Sequence, residues 1–453
     1  MFNRRQTMAL FGVGGAAILW PLPGRAQARA GLGNPLMPGK GVCDPQIRIF
    51  GEEAFLYSTH DAGPGVPYFT MHDWQVWRSR DLVDWQLASV LRPEQTYFGK
   101  PSSECWATDA ISRHGAYYLY FSMGPDNIGV VTSDHPTGPW RDPLRKPLIA
   151  KGDVPTASRD PGILQEADGT SYIVFGTFDY YIARLGDDMI SLAEKPRRIE
   201  VINPTGPFGL GRTDDKPFMH RRGEFYYLSW GSYYAMGASP YGPFTTVGAL
   251  LEKANVDPVF LDDSGMRGPQ APPPQYRPKD WLNFDRHGSF FDLRGQSYFA
   301  CNDQSGPGQN PLFRNSVLCY AHYRSDGTIA PLRLTEQGVG RHNLAKGIAA
   351  IDYSSLTGGL KYMGVNTPSV RLEKNGEIGF DRVSGLGGDL VVDASALSHD
   401  AHLELRVDGK CLGRHHIAAE SSRITVPKAF GEHSLSFRAL GGPVDIRSIK
   451  GEA

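Results

Sequence analysis

Cysteine is scarce in this chain: Cys43, Cys105, Cys301, Cys319 and Cys411 are the only five among 453 residues. An odd, widely spaced set without a CxxC pair excludes a disulfide framework and a zinc ribbon, so the cysteines are expected to pack as small hydrophobes. Net charge is almost missing too, with 47 Lys and Arg against 48 Asp and Glu. Without a field of one sign there is no reason to expect nucleic acid or an anionic membrane as partner. Between Pro35 and Gly340 no long stretch sustains a helical period, so long amphipathic helices are not expected. The apolar run Ala9 to Trp20 is too short to span a bilayer comfortably.

Turn formers and aromatics fill the gap. The chain has 53 Gly, 34 Pro, 20 Tyr, 22 Phe and 8 Trp, spread along its length in the manner of many short strands joined by turns. Its length predicts two folded units. Residues 1–30 read as an export signal. Arg4-Arg5 precede the apolar run, Pro21 to Gly24 break it, and Ala26-Gln27-Ala28 offers a cleavage site, in a pattern similar to twin-arginine signals. The mature chain is therefore expected in the periplasm or outside the cell, with no membrane anchor. Export in the folded state would fit a protein that completes folding among reduced thiols.

Residues 34–340 carry an internal repeat. Ala54-Phe55-Leu56-Tyr57-Ser58, Tyr117-Tyr118-Leu119-Tyr120-Phe121, Ser171-Tyr172-Ile173-Val174-Phe175, Phe225-Tyr226-Tyr227-Leu228-Ser229 and Ser297-Tyr298-Phe299-Ala300-Cys301 are aromatic-rich strands. The last four follow glycine turns at Gly115, Gly169, Gly223 and Gly295. A spacing of about 55 to 70 residues suits four strands plus loops, hence five blades of an all-β propeller. Trp85, Trp140 and Phe244 close turn segments and are expected between neighbouring sheets.

In a propeller the innermost strand of each blade lines the central channel. Some ten residues before each aromatic strand stand Asp44, Trp106, Asp160, Asp215 and His287. Three acids at matched offsets suit glycosidic bond cleavage, in which one carboxyl protonates the leaving oxygen and another activates water. A third carboxylate can raise the pKa of the acid by like-charge repulsion. Trp106 would supply a platform for a sugar ring. Taken singly, Asp44 and Asp160 read as turn caps before proline; together they read as catalytic. The expected partner is a neutral carbohydrate.

These segments resemble glycoside hydrolase family 43, from Asn34 to Gly340. The likeness runs through Cys43-Asp44-Pro45, Trp106-Ala107-Thr108-Asp109, Ile128 to Ser133, Asp160-Pro161 and Asp188-Met189-Ile190-Ser191-Leu192. Asp326-Gly327-Thr328-Ile329 and Thr335 to Val339 complete it. The resemblance implies a five-bladed propeller and an inverting glycosidase acting on terminal or branching α-L-arabinofuranosyl or β-D-xylosyl residues, with galactofuranosyl a further option. It makes Asp44 the general base, Asp160 the pKa modulator and Asp215 the general acid. Trp106, Asp109, Phe218 and Arg314 become substrate-binding residues. The third acid departs from the family, which has a glutamate followed by a small residue where this chain has Asp215-Lys216. Three outcomes stay open: Asp215 still acts, Asp214 acts instead, or the propeller binds sugar without cleaving it. No cofactor is required on this reading. His287 matches a histidine that often holds Ca2+ in the channel; the alternative is a buried, hydrogen-bonded histidine.

Residues 350–453 change texture, with alternating runs at Leu390–Asp393, Leu403–Val407 and Ser434–Phe437. They predict a small antiparallel β-sandwich. Ala349-Ala350-Ile351-Asp352-Tyr353 and Val407-Asp408-Gly409-Lys410 resemble a worn family 6 carbohydrate-binding module. Tyr353, Tyr362, Phe380, Phe430 and Phe437 are its main aromatics, and a purely structural role stands beside sugar binding.

Overall fold

A computed structural model describes residues 33–66, 68–261, 277–304, 312–363, 367–417 and 422–452. The export signal expected over residues 1–30 lies outside them. Leu32–Ala453 forms one compact unit, whose regular elements among the described residues are strands and a few short 3-10 helices.

Five sheets succeed one another along the chain. Their innermost strands are Val42–Phe50, Cys105–Arg113, Gly162–Gln165, Pro217–Arg222 and Gly288–Leu293. Each aromatic-rich segment is the second strand of its blade, paired antiparallel to the innermost one. These second strands lack an alternating pattern because neighbouring blades cover both of their faces, and a short apolar run bounded by turns is how such a strand reads. Two of the turns show why glycine opens the repeat. His114-Gly115 and Arg294-Gly295 both have φ positive at each residue, the hairpin turn that matches strand twist and favours glycine at its second position.

The core sits between blades. Among the described residues five buried apolar clusters each combine side chains of neighbouring blades. Trp140 lies 6.4 Å from Tyr57 across the first two blades, and Phe244 is fully buried against the third, as expected. The ring is closed by the segment that precedes the first blade. Asn34 Nδ2 donates to Leu318 O (2.8 Å) and Thr335 O (2.9 Å), and its Oδ1 accepts from Leu318 N (2.8 Å). Four cysteines are buried and Cys411 is exposed.

The C-terminal strands form one mainly antiparallel network around a sixth apolar cluster. The three expected runs fall in strands Gly388–Ala396, His402–Val407 and His433–Leu440. The long strand Ser369–Ser384 pairs with three antiparallel neighbours and joins what would otherwise be separate layers. Its sheet packs on the propeller: Gln296 Nε2 donates to Ile351 O, and Arg382 pairs with Asp81 and Asp84. Tyr353, Phe380 and Phe437 point into packed interior, leaving Tyr362 and Phe430 exposed. That spends most of the aromatic surface a sugar platform would need.

Candidate active site

The five channel positions meet at one mouth. Asp44 opens the first inner strand at a bulge between Cys43 and Gln46, and Trp106 opens the second at another. Asp160, Asp215 and His287 stand one or two residues ahead of strands three to five. All five line a cavity of about 250 Å³ together with Arg159, Asp214, Asp285 and Arg314. Tyr68, Phe69, Phe178, Phe208 and Phe284 form the aromatic part of its wall. The volume lies below the ~300–1,000 Å³ typical of drug-sized ligand pockets, which suits one sugar ring more than a chain. A second cavity of about 520 Å³ lies against the C-terminal sheet, lined by His322, Arg333, His342 and Asp352. None of the aspartates expected to be catalytic reaches it.

Asp44 is the most tightly held acid. Its Oδ1 accepts from Asn302 Nδ2 (2.8 Å) and Arg314 Nη1 (3.1 Å), and its Oδ2 from Thr59 Oγ1 (2.9 Å). Burial pushes its carboxyl up, but Arg314 and then His287 more than offset that and hold it well below the usual carboxylate range. It is an anion at any working pH. Arg314 is itself buried and clamped by Asp61, with Nε at 3.1 Å and Nη2 at 2.9 Å.

The other acids divide the protons differently. Burial, then the charge of Asp215, lift Asp160 to about 6 against the pull of Arg159. Burial and Asp215 also push Asp214 well up. Asp215, with 28% of its side chain exposed, meets His287 Nε2 at 2.5 Å and Arg159 Nη2 at 3.4 Å. These cations bring it to about 2 despite burial. His287 Nδ1 lies 3.3 Å from Asp44 Oδ1 and 3.4 Å from Asp285 Oδ1. Burial favours its neutral form, but Asp215 and Asp285 prevail and raise it well above the histidine range. Interacting carboxyls titrate as a set, so the resting proton belongs to the Asp160–Asp214–Asp215 group, with Asp215 its ionised member.

Trp106 lies under Arg159, whose guanidinium is 5.5 Å from the indole centre. Its buried Nε1 has no hydrogen-bond partner among the described residues.

Two expected sugar contacts do not reach the cavity. Asp109 is fully buried, and its carboxylate accepts from Arg48 Nε (2.8 Å) and Ile163 N (2.7 Å), tying three blades together. Phe218 is buried three residues past Asp215, with the Arg48 guanidinium 5.6 Å from its ring. Both sit farther along their inner strands than the mouth residues, where the channel is packed with protein. Sequence reasoning gave no role to Asp285, Asp61, Arg159 or the wall phenylalanines. Arg159 stands beside Asp160 in the sequence and its adjacency was the available signal; Asp61 and Asp285 had none.

The profile of Glycosyl hydrolases family 43 matches residues 32–329. The chain is 29% identical over 345 residues to a xylosidase/arabinosidase of Bacteroides ovatus, covering 65% of this chain and 95% of that one. It is 28% identical over 324 residues to a β-D-galactofuranosidase of Aspergillus niger, covering 68% and 86%. Among solved structures, a GH43_1 enzyme of Xanthomonas citri complexed with xylotriose matches with TM-score 0.52 at 26% identity, covering 65% of this chain and 92% of that one. An arabinoxylan arabinofuranohydrolase of Bacillus subtilis, in complex with cellotetraose, matches with TM-score 0.55 at 19% identity, over 93% and 97%. That likeness is one of fold, and it extends through the C-terminal sheet.

Proposed function

Starting from a chain that belongs to glycosyl hydrolase family 43, and is thus a glycosidase, we propose that it removes single terminal or branching α-L-arabinofuranosyl or β-D-xylosyl residues from an oligosaccharide or polysaccharide. Galactofuranosyl residues are a third substrate class, suggested by the Aspergillus niger relative. The observation that carries the reading is the pairing of an ionised Asp44 with a proton-bearing acid group across one small cavity. Asp44 takes a proton from the attacking water. Asp215, the most open acid, faces the leaving oxygen, and Asp160 holds the proton that the pair shares.

His287 bridges Asp44 and Asp215 through its two ring nitrogens. On this reading the reaction inverts the anomeric centre, with Asp44 activating water on one face while the acid group protonates the leaving oxygen.

We propose that no metal takes part. The channel offers two donor sets, Asp44–Asp285–His287 and Asp214–Asp215–His287, of the carboxylate type that Ca2+ uses. They do not fit a resident dication. Arg314 Nη1 already lies 3.1 Å from Asp44 and 3.5 Å from Asp285. In the second set His287 Nε2 and Arg159 Nη2 already lie 2.5 and 3.4 Å from the Asp215 carboxylate.

Hydrolysis of 4-nitrophenyl α-L-arabinofuranoside, β-D-xylopyranoside and β-D-galactofuranoside, followed by NMR of the first-formed anomer, tests the reading. Inverted product is expected from at least one, and Asp44→Ala or Asp160→Ala should abolish it. Saturable sugar binding without nitrophenol release would show a propeller that binds without cleaving. We also propose export through the Arg4-Arg5 signal to the periplasm or beyond; replacing both arginines by lysine should leave the protein in the cytoplasm.

A further inference from the structure

One edge of the C-terminal sheet gathers imidazoles that take no part in the mouth. Strand Lys410–His416 is an edge strand, and among the described residues it pairs only with His402–Val407. The ladder ends with His402 directly opposite His416, their ring centres 5.2 Å apart. His399 stands in the turn that leads into His402–Val407. Its ring centre lies 6.4 Å from that of His416, and its Nδ1 is 3.6 Å from Asp400 Oδ1. Three imidazoles and a carboxylate thus share the end of one strand pair and the turn beside it.

Backbone carbonyls decide which ring nitrogens keep a lone pair. His402 Nδ1 lies 2.8 Å from Asp400 O, and His416 Nε2 lies 3.2 Å from His399 O. A carbonyl oxygen can only accept, so both nitrogens donate, and the neutral rings carry their lone pairs on His402 Nε2 and His416 Nδ1. Metal-binding histidines are oriented in this way, with the second nitrogen donating to a carbonyl or carboxylate. The spacing agrees. Two imidazoles on one tetrahedral ion, each nitrogen ~2.0–2.1 Å from it, have ring centres roughly 5 Å apart. The turn is also held in place: Leu397 N donates to Pro443 O (3.0 Å) and Ala401 N to Ser398 O (3.2 Å). Gly441 lets the Asp400 carbonyl, which orients His402, pass so close that a Cβ there would overlap its oxygen. The side chains of His399 and Asp400, 100% and 89% exposed, can swing toward the pair.

We propose that His402, His416 and His399, with Asp400 as a fourth donor, bind a transition-metal dication of the Zn2+ class. Imidazole nitrogens suit Zn2+, Ni2+ and Cu2+, whereas Ca2+ and Mg2+ take oxygen ligands. The ion would clasp the last rung of the edge strand to its neighbour and to the turn. An unpaired strand edge is where a sheet pairs with foreign chains, and a cross-link at its end restrains it. None of the four residues lines the mouth, so the proposal stands apart from the hydrolase reading.

Equilibrium dialysis of the EDTA-stripped full-length protein against ZnCl2 tests it, on wild type and on His402→Gln, His416→Gln and His415→Gln. His415 is the control, because successive side chains of a strand point to opposite faces. Wild type should take up a Zn2+ at micromolar ZnCl2 that excess CaCl2 does not displace. His402→Gln and His416→Gln should each weaken that uptake by at least about tenfold, since even the loss of a supporting partner of a ligand costs that much. His415→Gln should bind like wild type. If His402→Gln fails to fold, the exposed His416→Gln and His399→Gln carry the comparison. The proposal is overturned if wild type takes up no zinc, if CaCl2 displaces it, or if the His402 and His416 variants bind as tightly as wild type. It is overturned equally if His415→Gln loses as much as they do.

Discussion

Arg314→Met should separate what the buried arginine does for stability from what it does for chemistry. Among the described residues, every hydrogen bond to the Asp61 carboxylate comes from Arg314, at 2.8 Å from its backbone N and at 3.1 and 2.9 Å from its guanidinium. Asp44 loses less, because Asn302, Thr59 and His287 remain. Both partners are nearly solvent-free, with side-chain exposures of 3% and 2% for Arg314 and Asp61. Removing one member of such a pair costs about 3–5 kcal/mol, since it strands a buried charge. Urea unfolding at neutral pH should show a loss of that size. Adding Asp61→Asn removes the stranded charge and should recover more than half of it, a coupling read from the double-mutant cycle. Activity should not recover, because Asp44 still lacks its guanidinium. The pH dependence has a definite sign. The folded-state pKa of Asp44 is depressed, so its stabilisation is present above the unfolded value and is lost as pH falls through the folded one. Without Arg314 the folded value climbs, and acid unfolding should begin at higher pH than in wild type. A loss below ~1 kcal/mol, or restored turnover in the double variant, would refute this account of the clamp.

Other expectations concern the proton, the acid, the sugar and the ring. With Asp160 near 6, kcat/KM should fall as pH rises through about 6. Arg159→Met should move that limb upward, because Arg159 lowers Asp160; an unmoved limb would exclude Asp160 as the proton store. Asp215→Asn should cost ~10²–10⁴-fold in kcat, and less on nitrophenyl substrates than on xylobiose, as removal of a general acid does. Asp214→Asn should cost far less, and the reverse ranking would transfer the role to Asp214. Trp106→Ala should raise KM by up to roughly tenfold with little change in kcat, since it removes an aromatic ring from the cavity wall. Asn34→Ala should lower stability by ~1–3 kcal/mol while leaving KM unchanged.

The blade count was legible because glycine turns and doubly buried strands leave a local, repeating mark. The mouth was legible for the same reason: inner strands begin at a common level, so a fixed offset from each aromatic strand found Asp44, Trp106, Asp160, Asp215 and His287. The offset says nothing about depth. Asp109 and Phe218 lie only three residues past mouth residues, and those three steps carry them from cavity wall to packed channel. The counterions were out of reach for a different reason. Arg314 stands 253 residues from Asp61 and 270 from Asp44, and no local pattern links residues that meet only when the ring is complete. Arg314 itself was reached by family resemblance alone. Lys216 was visible as a departure, but its burial and positive φ were not.

The Asn34 latch has a consequence for synthesis. A nascent chain that has emerged through its fourth blade is an open arc with two uncovered apolar flanks, since the partners of Asn34 lie at Leu318 and Thr335. Such long-range closure comes late and slowly, and until it occurs Arg314 cannot reach Asp61. Asp44 and Asp61 therefore acquire their arginine only with the last blade, which leaves any shortened product both sticky along its edges and devoid of a working centre.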